Sequence, residues 1–349
     1  MRTLWCPFAQ RSLWPMPKKP KPNNPKLPAP GSTLPALQDA IGKFNEWADK
    51  IELVEQEKNT VVDPLYHYTD GRGLRGIFES QTVWFTDYRH LNDPSELIHG
   101  IETAHDAIRL AATGADGRVA LFLQCMADML SHKNFSTVFE FFIASFSRER
   151  DDLGQWRAYA DNGRGYAIGF APSLFGIVEK PERKPNENVF VGPVLYEMDV
   201  VIARHRLAID EAAGIFLDTV DRYAELVRDK KVGIPFMQDF ARAVIASPLI
   251  WNCLTSKHPA YAHEREVRLV ILGQKAKLAP FIATRLRGSE IVPYIAHPLP
   301  LRQPHKIVEV VVGPAAPADA ERTVRTVLNS FGADPDIQIG RSGIPYCPS

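Results

Sequence analysis

Apolar residues recur at steps of three and four over residues 36–58, at Leu37, Ile41, Phe44, Trp47, Ile51 and Val54. That period predicts an amphipathic helix. Beyond it the pattern shortens. Val61–Tyr68 reads as a strand that tolerates Pro64 near its start. Gly71 and Gly73 turn the chain into a short helix through Leu74, Ile77 and Phe78. Thr82–Thr86 is a run of β-branched and aromatic residues, which predicts a second strand.

A helix start is written next. Asp93 suits an N-cap, Pro94 the first helical position, and Glu96 can close a capping box, so a helix is expected to about Ala112. Another is expected over Ala120–Leu130, then a buried strand over Glu140–Ser147 and a short helix over Asp151–Tyr159. Asp161-Asn162-Gly163 is a turn, and Gly165–Phe170 a strand. Val189–Met198 is a strand interrupted at Gly192-Pro193. From about Val201 to Cys253 the pattern is mostly helical, with a break expected near Gly233-Ile234-Pro235. Glu266–Gly273 and Ile307–Gly313 read as strands, Glu321–Leu328 as a helix, and Ile337–Ile339 as a last strand. Helices lie between the strands without regular βαβ spacing. The expected fold class is therefore α+β, with mixed or antiparallel central sheets that form a cleft and are surrounded by helices.

Composition narrows the class. The 349 residues are 45% apolar and 23% charged, enough for a substantial core. Forty-one basic side chains balance 41 acidic ones, so no global basic field favours nucleic acid. Cys6, Cys125, Cys253 and Cys347 are far apart, which excludes a CxxC redox pair or zinc knuckle and suits a reducing, cytoplasmic setting. No apolar run is long enough to cross a bilayer, so no membrane partner is expected.

The first 35 residues differ from the rest. They hold nine of the 28 prolines and no acidic residue, with Lys18, Lys19, Lys21 and Lys26 clustered. Residues 1–35 are expected to be a disordered, basic arm. It reads either as an extension without a packing role or as a tether to an acidic partner. Residues 36–349 are expected to form a single domain with a helical insertion at about 201–253.

Three blocks at strand edges carry the chemistry: Leu65–Thr69 (LYHYT), Ser145-Phe146-Ser147 and Glu264-Arg265-Glu266. They supply a histidine, hydroxyls and two carboxylates, a set suited to a polar ligand that bears a sugar. Strand alternation places Glu264 with Glu266, Ser145 with Ser147, and His67 with Thr69. Trp156, Tyr159 and Tyr166 are candidates to stack on a flat ring. Arg157 and Arg164, on either side of Asn162-Gly163, are candidates for a diphosphate. Each has a structural alternative: a salt-bridge pair of the glutamates with Arg265 and Arg268, a backbone-bonded core histidine, cross-strand serines, a packed Trp156 and solvated arginines. Trp84 and Phe85 read as core. No metal is expected, because Asn92, Asp93 and Glu96 lack a second acidic cluster.

The segments LYHYTD (65–70), VWFTDYRHLNDPSE (83–96), IASFSRERDDLGQWRAYADNGRGYAIGF (143–170), KHPAYAHEREVRLV (257–270) and IVEVVVGP (307–314) resemble a bacterial family known as domain of unknown function 2971. The resemblance spans roughly residues 60–345 and implies one compact, cytoplasmic domain, with no activity attached. A second likeness is mechanistic. A histidine on a first strand, Ser-x-Ser on a middle strand and Glu-x-Glu on a later one is similar to ADP-ribosyltransferases. His67 matches one of that family's patterns, and Ser145-Phe146-Ser147 with Glu264-Arg265-Glu266 the other.

That likeness implies NAD as co-substrate in a cleft between two small sheets. Cleavage of its nicotinamide–ribose bond would transfer ADP-ribose to an unknown acceptor or to water. Glu266 would serve the ribose, Glu264 would assist, and His67 would donate to a ribose hydroxyl. The alternatives that stand beside it are a non-catalytic nucleotide-metabolite sensor or interaction module and a defence- or toxin-type nuclease.

Overall fold

A computed structural model describes residues 34–58, 61–91, 95–131, 139–175, 189–298, 300 and 303–347. The expected disordered arm lies outside these residues up to position 33, as do the capping roles of Asp93 and Pro94; the side chain of Glu96 is likewise not described. Leu34 and Pro35 open the first helix instead of closing the arm.

Among the described residues ten strands form one mixed sheet, and the fold is α+β. They are β1 (Leu65–Thr69), β2 (Thr82–Asp87), β3 (Phe139–Ser147), β4 (Tyr166–Phe170), β5 (Val189–Pro193), β6 (Glu266–Gln274), β7 (Ile282–Arg287), β8 (Glu290–Pro298), β9 (Ile307–Val312) and β10 (Gln338–Arg341). All named pairs are antiparallel except β10 with β9.

The helices are α1 (Leu34–Lys58), α2 (Gly71–Ser80), α3 (Ser95–Ala112), α4 (Gly117–Met129), α5 (Leu153–Tyr159), α6 (Met198–Arg222), α7 (Glu225–Arg228), α8 (Lys230–Val244), α9 (Ile250–Leu254), α10 (Lys275–Leu278) and α11 (Ala320–Ser330). Local signals explain several starts. Asp70 caps α2, with Oδ1 accepting from Gly73 N at 2.7 Å. Asp152 caps α5 by accepting from Gln155 N at 2.8 Å.

β3 divides two cores. Phe141 and Ile143 face the helical layer, where Phe44, Phe122, Phe216 and Phe240 pack; the rings of Phe122 and Phe216 stack at 4.5 Å. Phe142, Ala144 and Phe146 face the other way, toward Leu74, Ile77 and Phe78 of α2 and Val324 and Leu328 of α11. Burial of such side chains is worth ~1.5–3 kcal/mol each.

The sheet is split along one edge of β3. β6 pairs with its whole length, from Phe139↔Gln274 to Ser147↔Glu266. On the opposite edge β1 pairs only at Tyr66↔Ser147, and β2 only at Thr86↔Ile143 and Asp87↔Phe142. Between those points, at residues 144–146, the β1 and β2 wings part and leave a seam.

Several expected boundaries move. β1 begins at Leu65 rather than Val61, after Pro64, which has no N–H for a ladder. β5 ends at Pro193. The expected break near Pro235 is absent: α8 carries Pro235 inside, and the helix interrupts instead around Tyr223-Ala224 and Asp229. Asp229 is a cap, bonded to Lys231 N at 2.9 Å. The β7–β8 hairpin was not anticipated. Its signal is Gly288-Ser289 between alternating runs, with Gly288 at φ 62°.

Candidate functional site at the split in the sheet

Ser145 lies at the seam. It is exposed, whereas its neighbours Ala144 and Phe146 are buried. Its hydroxyl hydrogen-bonds the carboxylate of Glu266, and its carbonyl oxygen lies 3.1 Å from His67 Nδ1. A carbonyl only accepts, so Nδ1 carries the proton. Burial lowers the pKa of His67, and the nearby Arg285 pushes it the same way against the Ser145 bond. The ring is thus neutral, with Nε2 an acceptor. His67 is expected to donate to a ribose hydroxyl; in this tautomer Nδ1 donates to the Ser145 carbonyl and Nε2 can only accept.

His67 and Glu266 reach Ser145 from opposite faces. Register pairs His67 with Ile168, on the α2–α11 face, and its ring lies 5.5 Å from that of Phe146. Ser145 pairs with Arg268 and Ser147 with Glu266, on the other face. The convergence expected for these residues on one hollow is therefore not what the sheet gives: His67 and Glu266 lie on its two faces, with Ser145 between them at the seam.

Glu266 and Glu264 are both buried, with 6% and 8% of their surface exposed. Arg268 grips Glu266 bidentately at 2.9 and 3.1 Å. Lys257 Nζ donates to Glu264 Oε2 at 2.6 Å and to Glu266 Oε2 at 3.4 Å. Burial alone pushes the Glu266 carboxyl up; Arg268, Lys257 and the Ser145 hydroxyl outweigh it and hold it at about 2. Strand alternation is not what brings the two glutamates together. Glu264 ends a 3₁₀ turn, Arg265 takes a left-handed conformation at φ 44°, and Lys257 joins the two carboxylates. The salt-bridge alternative is met in part. Arg268 pairs with Glu266 in the interior, while Arg265 turns outward to Glu149.

The remaining candidates separate. Ser147 is buried; its Oγ donates to the Glu264 carbonyl at 2.7 Å and accepts from Glu149 N at 3.0 Å, so it locks a turn. Tyr159 Oη stands 3.5 Å from Glu264 Oε1 and stays with the cluster. Trp156 is fully buried, edge-on to Tyr68 at 4.8 Å, with Nε1 donating to Asp151 at 2.6 Å. It is core and has no face for a ligand.

Thr69 and Tyr166 pair with each other on the α2 side; Thr69 packs against Gly73, and Tyr166 lies beside Gly71. They do not join Glu266. Arg157 and Arg164 are exposed around the turn of Asp161, Asn162 and Gly163, which takes φ of 47°, 51° and 83°. Asn and Asp tolerate that region better than most residues.

Sequence reasoning missed Lys257, Arg285 and Tyr294 and read Trp84 as core, although Trp84 is 40% exposed. Phe85, beside it, is core. Arg285 Nη2 donates to Thr86 Oγ1 at 3.0 Å, and its guanidinium lies over Trp84 and Tyr294 at 5.0 and 5.9 Å. Among the described residues no group of His, Cys, Asp and Glu converges as a metal site would require, and no helix is long and apolar enough to cross a membrane.

Residues 155–269, from α5 through β6, match the model of a family described as Protein of unknown function (DUF2971). The matched stretch is narrower than the span of the sequence resemblance, about a third of the chain. It holds Tyr159, Lys257, Glu264, Glu266 and Arg268, whereas His67, Ser145 and Arg285 lie outside it. Nothing matches among curated proteins, and nothing among solved structures.

Proposed function

We propose that the seam at Ser145 binds a nucleotide-like metabolite, of which NAD and ADP-ribose are the first to try. The carrying observation is that one exposed serine joins the neutral His67 to the ionised Glu266. A sugar entering there would meet a hydroxyl and an imidazole acceptor. Binding without turnover is favoured because Glu266 has no acceptor capacity left. It already receives two bonds from Arg268, one from Lys257 and one from Ser145, against about four lone-pair sites on a carboxylate. In this reading Glu266 anchors Ser145 and does not attend the reaction.

A second reading, ADP-ribosyl transfer or NAD hydrolysis, draws on Glu264. Its Oε1 lies 3.5 Å from Tyr159 Oη, a long contact, while Lys257 holds Oε2. The C1′–nitrogen bond to nicotinamide would break, an acceptor or water oxygen would attack C1′, and Glu264 would take that oxygen's proton.

The full chain should be titrated with NAD and ADP-ribose by calorimetry and assayed for released nicotinamide. Saturable binding without release is the expected result. Release that is lost in Glu264→Gln would establish the second reading instead. No heat with either ligand at millimolar concentration would remove both.

A further inference from the structure

The wing across the seam holds a cation with no carboxylate partner among the described residues. Thr86 pairs with Ile143 of β3 and with Tyr294 of β8, and Tyr294 pairs with Ala283 of β7. Alternation then places Trp84, Thr86, Tyr294, Arg285 and Ser145 on one face. The rings of Trp84 and Tyr294 lie 4.5 Å apart and form a platform. Arg285 rests on it, tied to Thr86 through Nη2. Its Nε is buried without a hydrogen-bond partner among the described residues. The contrast with Arg287, two residues on, is direct: that side chain is paired with Glu290 and with the His90 carbonyl.

A half-buried guanidinium with neither a counter-ion nor full hydrogen bonding is costly in water's absence. Burial and Arg287 both lower its pKa, as expected for a cation that lacks an anion. Stacking on the rings fixes the plane of the fork and leaves its outer edge for a ligand. Thr86, which Nη2 bonds, pairs with Ile143, two residues before Ser145 on the same face, so the positive charge and Ser145 belong to one neighbourhood.

We propose that Arg285, held by Trp84, Tyr294 and Thr86, is a phosphate subsite for the diphosphate of a nucleotide whose sugar sits at Ser145. It rests on the reading of the seam as a metabolite site and adds the anionic class of the ligand. Arg157 and Arg164, the diphosphate candidates by sequence, are not needed for it.

The test compares ADP with adenosine on the full chain, by calorimetry at two salt concentrations. ADP should bind at least about tenfold more tightly than adenosine, a preference that shrinks with salt. Arg285→Gln should abolish the preference and leave adenosine affinity unchanged. Arg285→Lys should keep only part of it, since a point charge replaces a fork. Thr86→Val, which removes the Nη2 tether while keeping the charge, should weaken ADP alone and serves if Arg285→Gln melts early. Adenosine and ADP binding equally to the wild type, or an undiminished preference in Arg285→Gln, would overturn the subsite and leave the seam reading standing. Failure of ADP, adenosine, NAD and ADP-ribose alike to bind the wild type would overturn both.

Discussion

Arg268 holds Glu266 from two positions further along the same strand, with Nε 2.9 Å from Oε1 and Nη2 3.1 Å from Oε2. Both side chains are buried, so the pair stands or falls together. Removing one partner strands the other charge in the interior. Glu266→Ala should therefore lower unfolding free energy by ~3–5 kcal/mol. Glu149→Ala, which breaks the outward pair with Arg265, should cost under ~1 kcal/mol. Urea denaturation measures both. Near-wild-type stability in Glu266→Ala would show that the carboxylate is not the anchor described.

Ser145→Ala removes one of the donors that Glu266 receives and opens no core cavity, since Ser145 is exposed. A loss of ~0.5–1.5 kcal/mol is expected. Metabolite affinity should fall more than stability does, because the same hydroxyl is exposed at the seam. Equal titrations for the two proteins would argue against the seam as the site.

His205, on α6, is 0% exposed, and among the described residues both ring nitrogens lack a hydrogen-bond partner. Burial, helped by the adjacent Arg204, holds its pKa down at about 3. The unfolded chain, with an ordinary histidine near ~6.5, binds the proton first. Stability is thus full above that value and falls as pH drops toward the folded pKa, by ~1.4 kcal/mol per unit. His67, also lowered, adds with the same sign. Between pH 7 and 5, above the range where Glu266 titrates, His205 alone should cost ~2 kcal/mol. His205→Leu should flatten that slope at little cost at pH 7, as no bond is lost. Denaturation midpoints at the two pH values decide it.

Gly100 and Gly76 should respond oppositely to alanine. A Cβ at Gly100, on α3, would lie 2.5 Å from the Cys253 carbonyl oxygen and 2.6 Å from its Cα on α9. Backbone cannot yield there, so Gly100→Ala should cost up to ~3 kcal/mol despite alanine's better helix propensity. Gly76, on α2, has nothing within 4 Å of such a Cβ. Gly76→Ala should stabilise by ~0.5–1 kcal/mol. Thermal melts of the two variants check the signs.

Periodicity was a reliable guide wherever the chain repeats a local rule. The heptad-like spacing of α1, the β-branched run of β2 and the continuous apolar stretch of β6 each became the expected element. The hairpin of β7 and β8 was missed because its first strand is largely exposed and its apolar alternation faint. Only the Gly288-Ser289 turn marked it. With it went Arg285 and Tyr294. Proline misled at α8, where Pro235 sits inside the helix and loses one bond that the packing of Phe236 and Phe240 offsets.

By itself the sequence determined the α+β class, most elements, and the segments that supply His67, Ser145 and Glu266. Those follow from backbone propensity and side-chain period, which act over a few residues. The three-dimensional arrangement set the rest: that β1 and β2 part at Ser145, that His67 arrives from the opposite face, and that Lys257, Arg268 and Ser145 fill Glu266's acceptors. Strand pairing and charge pairing join residues far apart in the chain, and no local pattern encodes which edge meets which, or which cation finds a buried carboxylate.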